Sequence, residues 1–569
     1  MSKLILELLQ IGAISKCQTV KGEYLSPIFL VPKPDGSKRF ILNLKKLNSY
    51  VKVKKFKMED LRTAQKLMMP DCYMCTIDIK DAYFHMPLNK TQRKYFRFLW
   101  NGKKYEFMCY PFGLSTAPRT FTKLMKPVIS FLRNQGFTSV IYLDDILCIG
   151  YSYAECLKNV KSTVSLLESL GFKINRKKSC LEPSTSVRFL GFLLDSKSMK
   201  ISLPSEKCDR AAKIINFIRQ RKIVSALKMA ELTGTIISCA PAIPYAMLYT
   251  KNFESQKTKS MLSDRLNFSL PVRINKIILS DLQWWAKALE NPSQAIRHDV
   301  FPVVIYTDAS TTGWGAVCNE CSIGGLWDEK QKKMHTINFL ELLAVYFAVL
   351  SFASKTRNIQ ILLRIDNMTA ICCVNRMGST KFAHLNSLSR DIWQFCEKRN
   401  IWIFASYIKS KSNIHADYAS RIVSTETEWS LSDQAFEKIC AALGSPCIDL
   451  FASCNNYKLP IYISWKPDPF CQAIDAFTLD WSVSFFYAFP PFNLISRTIK
   501  KICSDRAIGI LVVPNWSSQP WFPLFHKLKK SKIVHLTPSN DLLMFGTRTH
   551  PLCQSLSLMA AVLSGKLTN

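Results

Sequence analysis

The sequence predicts a multidomain protein that combines α+β and α/β architecture. Three observations support this fold class. The chain has 569 residues, which is too long for one hydrophobic core and suggests three or four domains. Residues 1–204 contain short β-rich runs separated by turn residues, whereas residues 205–300 are mostly helical in pattern. From residue 301 onward, strand-like runs alternate with longer helical patterns, as they do in α/β domains.

The chain is strongly basic. It has 76 Lys and Arg against 42 Asp and Glu, which gives a net charge of +34 and a pI near 9.5. The positive charge is spread along the sequence, which favours long grooves that bind a polyanion. A basic surface that serves only solubility or membrane contact is the alternative, and nucleic acid is the expected partner. No apolar run reaches the length of a membrane span.

The twenty cysteines are scattered through apolar runs, and no signal peptide precedes them. We therefore expect reduced thiols in an intracellular protein of the cytoplasm or the nucleus. Two CxxC spacings occur, at Cys72/Cys75 and Cys318/Cys321, but neither has a second Cys/His pair at zinc-finger spacing. A zinc site is not expected at either pair.

The first half of the chain is predicted to contain three hairpins and two helices before a mostly helical stretch. In chain order we expect a hairpin at 26–44, a strand at 73–79, a hairpin at 96–113 that turns at Asn101-Gly102, a helix at 115–135, a hairpin around 142–145, a helix at 153–170 and a strand pair at 187–195. The pattern at 205–290 is mostly helical, with Ser205 as a plausible N-cap, and 291–302 has the character of a linker.

The second half is predicted to contain two α/β regions. The first has a strand at VVIYTDAS (303–310), a long hairpin, a helix at 338–353, a strand at IQILLRID (359–366), a helix near 384–398, a strand at WIFASYI (402–408) and a short helix at 415–421. A Ser/Thr/Glu-rich stretch at 422–434 separates it from a C-terminal α/β region at 435–569.

The sequence Tyr142-Leu-Asp-Asp145 lies between two apolar runs and predicts a strand, a tight turn and a strand with two carboxylates at the apex. Neighbouring acids repel each other unless a cation lies between them, and Mg²⁺ is the expected cation, with Mn²⁺ as an alternative. Asp78, at the end of the strand YMCTIDI, supplies a third carboxylate for a two-metal site. Lys33, Lys38 and Arg39 in the upstream hairpin are suited to bind a triphosphate.

Four motifs together resemble those of reverse transcriptases: TIDIKDAYFHMPL (76–88), YPFGLSTAP (110–118), YLDD (142–145) and VRFLGF (187–192). The resemblance implies a right-hand polymerase, with fingers and palm at 1–204 and thumb-like or connection helices at 205–300. It makes Asp78, Asp144 and Asp145 the metal ligands and gives Tyr83 the role of excluding a ribose 2′-hydroxyl. Phe112 and Tyr142 fall at positions that contact the substrate. A lone YxDD could be a solvated hairpin turn, but four motifs in the family's order argue against coincidence.

Four further acids form a second pattern: Asp308 within a strand, Glu341 in a helix, Asp366 at a strand end and Asp417 in a short helix. Such a set suits a two-metal hydrolytic site. Its order resembles a ribonuclease H domain at 301–422, which would cut the RNA strand of an RNA–DNA hybrid. Alternatively, Glu341 caps its helix in an Asn338-x-x-Glu341 capping box, and Asp417 serves a helix N-terminus. Tyr407 stands where many family members carry a histidine.

The tract at 447–523, which includes CIDLFASCNNYKLP and FYAFPPFNLISR, resembles the methyltransferase-like domain of DIRS-type retrotransposons. Phe489 of the loop Phe489-Pro490-Pro491-Phe492 cannot accept a hydrogen bond from a target amine, although Phe492 could stack on a base. No glycine-rich cofactor loop surrounds Asp449. We therefore expect residues 435–569 to be a non-catalytic domain, with Trp465, Trp481, Trp516 and Trp521 in its core.

These resemblances imply a retrotransposon RNA-directed DNA polymerase with ribonuclease H activity. Its expected partners are an RNA template, a DNA primer, RNA–DNA hybrid and deoxynucleoside triphosphates, and a tyrosine recombinase is expected on a separate chain. One alternative is an LTR (gypsy-type) or pararetroviral polymerase. Another is a non-catalytic, nucleic-acid-binding relic of an element copy, against which the presence of all seven acids argues.

Overall fold

The computed structural model describes residues 1–32, 38–264, 267–297, 300–334, 336–421, 429–545 and 548–566. They form two compact units. The first comprises Met1–Val224, Glu231–Ala246 and Ile274–His298, and the second comprises Ser225–Ala230, Met247–Arg273 and Asp299–Asn569. Within the described ranges, no helix is both long and apolar enough to cross a membrane.

In the N-terminal region, the described part of residues 1–204 contains twelve short strands and five α-helices. The strands are β1 (Ile14–Lys16), β2 (Ile28–Pro32), β3 (Lys38–Leu42), β4 (Tyr73–Asp78), β5 (Arg97–Trp100), β6 (Lys103–Phe107), β7 (Thr138–Tyr142), β8 (Asp145–Gly150), β9 (Cys180–Ser184), β10 (Ser186–Phe189), β11 (Phe192–Asp195) and β12 (Lys200–Ser202). The helices are α1 (Ser2–Gln10), α2 (Lys45–Asn48), α3 (Leu61–Leu67), α4 (Ala117–Asn134) and α5 (Tyr153–Ser169).

A four-stranded antiparallel sheet of order β7-β8-β4-β9 forms the centre of this region. Apolar residues of α4 and α5, such as Phe121, Ile129 and Leu167, share one core with the buried side chains of the sheet. The predicted hairpins, helices and strand pair of this region are confirmed. Asn101 and Gly102 have φ of 46° and 71°, which is the backbone that a two-residue hairpin turn requires.

Residues 205–297 are mostly helical, as predicted. The elements are α6 (Ser205–Arg219), β13 (Ile223–Ser225), α7 (Ala226–Cys239), α8 (Lys251–Ser260), β14 (Pro271–Arg273), α9 (Lys276–Ala288) and β15 (Ser293–Ala295). Two local predictions are wrong. Pro204 is the N-cap of α6 and Ser205 is its first residue. Part of the predicted linker is a strand, because β15 pairs with β12 and extends the β10-β11-β12 sheet.

The central region, residues 300–421, is an α/β fold. Its elements are β16 (Val303–Ala309), β17 (Gly313–Cys318), β18 (Cys321–Leu326), α10 (Glu329–Met334), α11 (Ile337–Ala353), β19 (Gln360–Ile365), α12 (Met368–Asn375), α13 (Ala383–Glu397), β20 (Trp402–Tyr407) and α14 (Ile414–Arg421). The sheet order is β18-β17-β16-β19-β20, with β16, β19 and β20 parallel.

Glycines let α14 lie directly on the β17–β18 hairpin of this sheet. A Cβ at Gly315 would lie 2.3 Å from the Ala416 carbonyl oxygen, and one at Gly324 would lie 2.4 Å from the Ala419 carbonyl oxygen. A larger residue at either position would force the helix away from the sheet. This close packing fixes the position of the side chains on α14.

The C-terminal region, residues 429–566, contains a second α/β fold. Its elements are β21 (Ser430–Leu431), α15 (Asp433–Leu443), β22 (Ile448–Asp449), β23 (Ile463–Ser464), β24 (Ala473–Ile474), β25 (Phe486–Ala488), α16 (Ile495–Ser504), β26 (Ile508–Pro514), α17 (Phe522–Leu528), β27 (Val534–Leu536), β28 (Leu543–Phe545), β29 (Arg548–Thr549) and β30 (Leu558–Ser564). The main sheet has the order β22-β25-β26-β30-β27, in which β22, β25 and β26 are parallel.

Two expectations for the C-terminal region are corrected. Part of the predicted separator is structured, since β21 pairs with β28 and α15 begins at Asp433, while residues 422–428 lie outside the described residues. Trp481 and Trp521 are buried as expected, but Trp465 is 60% exposed and does not belong to the core. Trp516 is half-buried.

Candidate functional site

Three acids of the N-terminal region, Asp78, Asp144 and Asp145, meet at one end of the β7-β8-β4-β9 sheet. Asp78 ends β4 and Asp145 begins β8, and the antiparallel register places these two residues opposite each other. Asp144 lies in the two-residue turn between β7 and β8, where Leu143 has a φ of 54°. The prediction of two carboxylates at the apex is therefore half right, because Asp145 already belongs to a strand. We call these residues the N-terminal acids.

The electrostatics of the N-terminal acids combine burial with nearby positive charge. Burial raises the pKa of Asp144, and burial together with the charges of Asp144 and Asp78 raises the pKa of Asp145 to about 6. Lys178 acts in the opposite direction on both carboxylates, and Arg39 does so on Asp144. Repulsion among the acids is thus partly offset by two cationic side chains.

Lys178 was not among the predicted site residues. It lies in the loop between α5 and β9, and this loop is bonded to the end of β4. The Asn175 N–H donates to the Asp78 carbonyl oxygen at 2.8 Å, and the Asp78 N–H donates to Ser179 Oγ at 3.0 Å. The basic run Arg176-Lys177-Lys178 was the available signal, but its position beside β4 depends on a contact between distant parts of the chain.

An aromatic cluster lies beside the N-terminal acids. The ring centroid of Tyr83 is 5.2 Å from that of Phe112 and 6.0 Å from that of Phe121. Burial and the nearby Asp144 and Tyr142 raise the pKa of Tyr83 to about 12, so its hydroxyl stays protonated at neutral pH. The structure thus brings together the four predicted residues Tyr83, Phe112, Tyr142 and Asp144. Lys33, also predicted, lies outside the described residues.

A second group of acids lies in the central region. Carboxylate oxygens of Asp308 on β16, Glu341 on α11 and Asp366 after β19 all come within 4.8 Å of one another. Asp308 is 6% exposed and Glu341 is 5% exposed. Among the described residues, this is the group of His, Cys, Asp and Glu side chains close enough to share a metal ion, and the N-terminal acids are not as close together. We call these residues the central acids.

The central acids are held by few hydrogen bonds. Ser420 Oγ donates to Asp308 Oδ2 at 2.8 Å, and Ser410 Oγ donates to Asp366 Oδ2 at 2.6 Å. Glu341 Oε2 is buried without a partner among the described residues. Burial, Asp308 and Asp366 together raise the pKa of Glu341 to about 9. Glu341 therefore has an unpaired oxygen in surroundings that disfavour its ionised form, and an all-oxygen donor set of this kind suits Mg²⁺.

Asp417, the fourth predicted acid, lies outside the group of central acids. Arg421 Nε and Nη2 donate to Asp417 Oδ1 at 2.9 and 2.7 Å. Burial is the main cause of the raised pKa of Asp308, and the charges of Asp366 and Asp417 add to it, so Asp417 and Asp308 are close enough to interact. The alternative role of Glu341 as a helix cap is wrong, because α11 begins at Ile337 with Thr336 as its N-cap. Tyr407, at the position where many family members carry a histidine, is exposed.

The cysteines form no disulfides, since all twenty are free thiols. Cys318 and Cys321 lie opposite each other on β17 and β18, next to the turn that joins these strands. Cys75 Sγ lies 3.7 Å from Cys156 Sγ inside the N-terminal core. Among the described residues, none of these thiols belongs to a group able to hold a metal ion.

Comparison with known proteins identifies part of the chain. Residues 31–194 match the family model described as reverse transcriptase (RNA-dependent DNA polymerase). This segment contains Arg39, Tyr83, Phe112 and the three N-terminal acids. The chain therefore carries a reverse transcriptase domain of the kind found in transposon and retrovirus-related pol polyproteins.

Similar proteins come from transposons and a virus. The Tf2-3 transposon polyprotein of Schizosaccharomyces pombe is 23% identical over 52% of this chain and 21% of its own length. The putative enzymatic polyprotein of Cassava vein mosaic virus is 23% identical over 71% of this chain and 62% of its own length. The Pol polyprotein from the Drosophila melanogaster transposon opus is 27% identical over 34% of this chain and 19% of its own length. The chain spans about a fifth of the transposon polyproteins that it matches.

Solved structures similar to the chain include two complexes of the foamy viral protease-reverse transcriptase. The complex with double-stranded DNA has a TM-score of 0.46 and 20% identity, covering 71% of this chain and 69% of that one. The complex with an RNA/DNA hybrid has a TM-score of 0.45 and 20% identity, covering 72% of this chain and 53% of that one.

Proposed function

We propose that the chain is the RNA-directed DNA polymerase of a retroelement and that it also cleaves the RNA strand of RNA–DNA hybrids. The proposal for synthesis depends on one observation above the others: Asp78 and Asp145 face each other on paired strands, with Asp144 in the adjoining turn. This arrangement lies inside the segment that matches reverse transcriptases.

In the proposed synthesis reaction, Mg²⁺ bound by the N-terminal acids would activate a primer 3′-hydroxyl and stabilise the leaving pyrophosphate. Arg39 and Lys178 lie close enough to influence the acids, and we assign them to the triphosphate, whose negative charge their side chains complement. The Tyr83 ring, packed against Phe112, presents a rigid aromatic edge beside Asp144. We assign it the exclusion of a ribose 2′-hydroxyl.

The proposed cleavage reaction uses the central acids. Three carboxylates that converge around an unpaired Glu341 oxygen suit a hydrolytic metal site. Ser420 bonds one oxygen of Asp308, and Ser410 bonds one oxygen of Asp366. These bonds orient both carboxylates and leave the other oxygen of each for a metal ion. Mn²⁺ would satisfy the same donors as Mg²⁺.

Matched variants test whether the two activities are separate. Asp144→Asn should lower primer extension on an RNA template by about 10³-fold or more and leave hybrid cleavage unchanged. Asp308→Asn should lower hybrid cleavage and leave primer extension unchanged. Asp71→Asn is the control, since Asp71 is an exposed acid just before β4 and asparagine tolerates its φ of 60°. Full synthesis by Asp144→Asn would overturn the polymerase mechanism, and loss of both activities in Asp308→Asn would contradict two independent sites.

We further propose that the element is of DIRS type, with fingers and palm at 1–204, thumb-like helices at 205–300, a ribonuclease H-like domain at 301–422 and a methyltransferase-like domain from 435 onward. The C-terminal tract around Phe489-Pro490-Pro491-Phe492 supports this subtype. The similarity to the putative enzymatic polyprotein of a virus over 71% of the chain keeps a viral polymerase as the alternative. A recombinase reading frame beside the coding sequence would support the DIRS assignment, and an integrase frame would overturn it.

A further inference from the structure

A cleft with a volume of about 570 Å³ opens at one edge of the main C-terminal sheet. The loops that follow the parallel strands β22 and β25 contribute to its walls, so it lies at the carboxyl ends of these strands. Ligands commonly bind at this edge of open α/β sheets. Its walls are rich in aromatic side chains: Trp429, Phe451, Trp465, Phe477, Phe489 and Phe492. Neither of the two proposed activities uses this cleft.

Cationic and amide groups accompany the aromatic rings. The Arg497 guanidinium lies 3.8 Å from the centroid of the Phe477 ring, and Lys466 Nζ lies 5.0 Å from the centroid of the Trp465 ring. Arg497 is exposed and, within the part of the chain that the structure describes, it has no carboxylate at ion-pair distance. The Asn456 carboxamide accepts hydrogen bonds from Ser453 through its oxygen, which leaves its NH₂ group for a ligand.

We propose that this cleft binds an unpaired base of single-stranded nucleic acid. Aromatic faces stack on any base, and guanidinium and ammonium groups at the rim complement the phosphates that flank it. Trp465 is 60% exposed and lines the cleft, so its ring face is accessible for stacking on a base. The cleft volume lies in the range of sites that bind nucleotide-sized ligands.

The residues present do not fit the methyl donor that a methyltransferase-like fold would imply. The segment after Asp449, Leu450-Phe-Ala-Ser-Cys-Asn-Asn-Tyr457, contains no glycine that would let a cofactor approach the backbone closely. Phe489 supplies no acceptor for a target amine. The chemistry of this cleft therefore favours holding a base over modifying it.

The same loop connects the cleft to the central region. Asn455, beside the cleft residue Asn456, accepts a hydrogen bond from the Leu326 N–H at 3.2 Å on the edge strand β18. Phe470 packs edge-on against Phe347 of α11, with ring centroids 5.6 Å apart. These contacts join the cleft to the α/β fold that contains the central acids, so a nucleic-acid strand bound in the cleft would lie on the same compact unit as those acids.

Photo-cross-linking of the full-length protein tests the proposal. The polymerase domain is first saturated with unlabelled primer–template, and a short single-stranded RNA or DNA with one thio-substituted pyrimidine is then irradiated and the adduct mapped by mass spectrometry. We expect adducts on peptides that contain Trp465, Phe477 or Phe492. Trp465→Ala and Arg497→Gln should each lower the yield at least about fivefold, while Trp465→Phe retains most of it.

The control is Val483→Ala, which alters an exposed apolar residue of the same region outside the cleft lining and should not change the yield. Adducts confined to peptides outside the cleft would overturn the proposal. Cross-linking of labelled S-adenosylmethionine to the cleft peptides would identify a cofactor site and overturn the inference that the cleft holds a base without modifying it. Primer extension should survive in Trp465→Ala, so failure of this proposal is distinguishable from failure of the polymerase assignment.

Discussion

The N-terminal acids and the central acids are both groups of three neighbouring acids, but they differ in how the repulsion between their carboxylates is offset. The central acids lie within 4.8 Å of one another, two of them buried, and one carboxylate oxygen has no partner among the described residues. The N-terminal acids are less closely grouped, and Lys178 and Arg39 offset part of their charge. The central acids are thus already close together, and we expect a cation to relieve their repulsion. The N-terminal acids are partly neutralised by neighbouring side chains of the protein.

This difference follows from the elements that present the acids. Asp308 lies on β16, Glu341 lies on α11, which packs against β16, and Asp366 directly follows β19. Asp308 and Glu341 are buried, which restricts their separation. Asp78 and Asp145 are cross-strand neighbours, and Asp144 lies in a turn. Directly opposed residues on paired strands have Cβ atoms about 5 Å apart, which allows their carboxylates to diverge. This difference in backbone placement accounts for the wider spacing of the N-terminal acids.

The largest expected effect distinguishes acids inside the central group from the one outside it. Glu341→Gln should lower hybrid cleavage by about 10²-fold or more, because the buried group would lose one of its three anionic ligands. Asp417→Asn should lower the rate of hybrid cleavage by about tenfold or less, since Arg421 already neutralises Asp417. The measurement is the initial rate of cleavage of a labelled hybrid at saturating Mg²⁺. If Asp417→Asn lowers cleavage as much as Glu341→Gln does, four acids act together during catalysis and Asp417 does not lie outside the group.

Local sequence patterns predicted the elements of both sites but not how closely their acids approach. A two-residue turn between apolar runs specifies the hairpin at 142–145, and the strands that end at Asp78 and Asp366 have equally local signals. The role of Lys178 could not be predicted, because it depends on hydrogen bonds between the loop after α5 and the end of β4. The ion pair of Asp417 with Arg421 has a local i,i+4 spacing, but the distance of Asp417 from the central acids depends on how α14 packs on the distant β17–β18 hairpin.

An intermediate effect tests the positive charge beside the N-terminal acids. Lys178 lowers the pKa values of Asp144 and Asp145, so Lys178→Gln should allow both to rise further. The acid limb of the pH–rate profile for primer extension should therefore move to higher pH, with activity near pH 6 falling by up to about tenfold. The exposed neighbour variant Lys177→Gln is the matched control. An unchanged acid limb in Lys178→Gln would show that the acids are not neutralised in this way.

The smallest expected effect concerns stability without divalent metal. Burial and the other central acids raise the pKa of Glu341 from an ordinary value of 4.5 to about 9, so the folded protein favours its protonated form. The unfolded chain releases that proton near pH 4.5, and stability should therefore decline as pH rises from about 4.5 to about 9. Glu341→Gln lacks this titration. Its Tm in EDTA should exceed that of the wild type increasingly over the same range, by about 2–4 °C for each kcal/mol of relieved repulsion.

A titration with Mg²⁺ adds a second test of the Tm difference between the wild type and Glu341→Gln. The cation favours the ionised carboxylates, so the Tm of the wild-type protein should rise on titration with Mg²⁺ more than that of Glu341→Gln. Glu320→Gln, which alters an exposed acid at the β17–β18 turn, should follow the wild type in both conditions. Parallel pH curves for the wild type and Glu341→Gln in EDTA would mean that the central acids are already relieved of repulsion without a cation. In that case the two sites would not differ in the way inferred from their burial and their neighbouring charges.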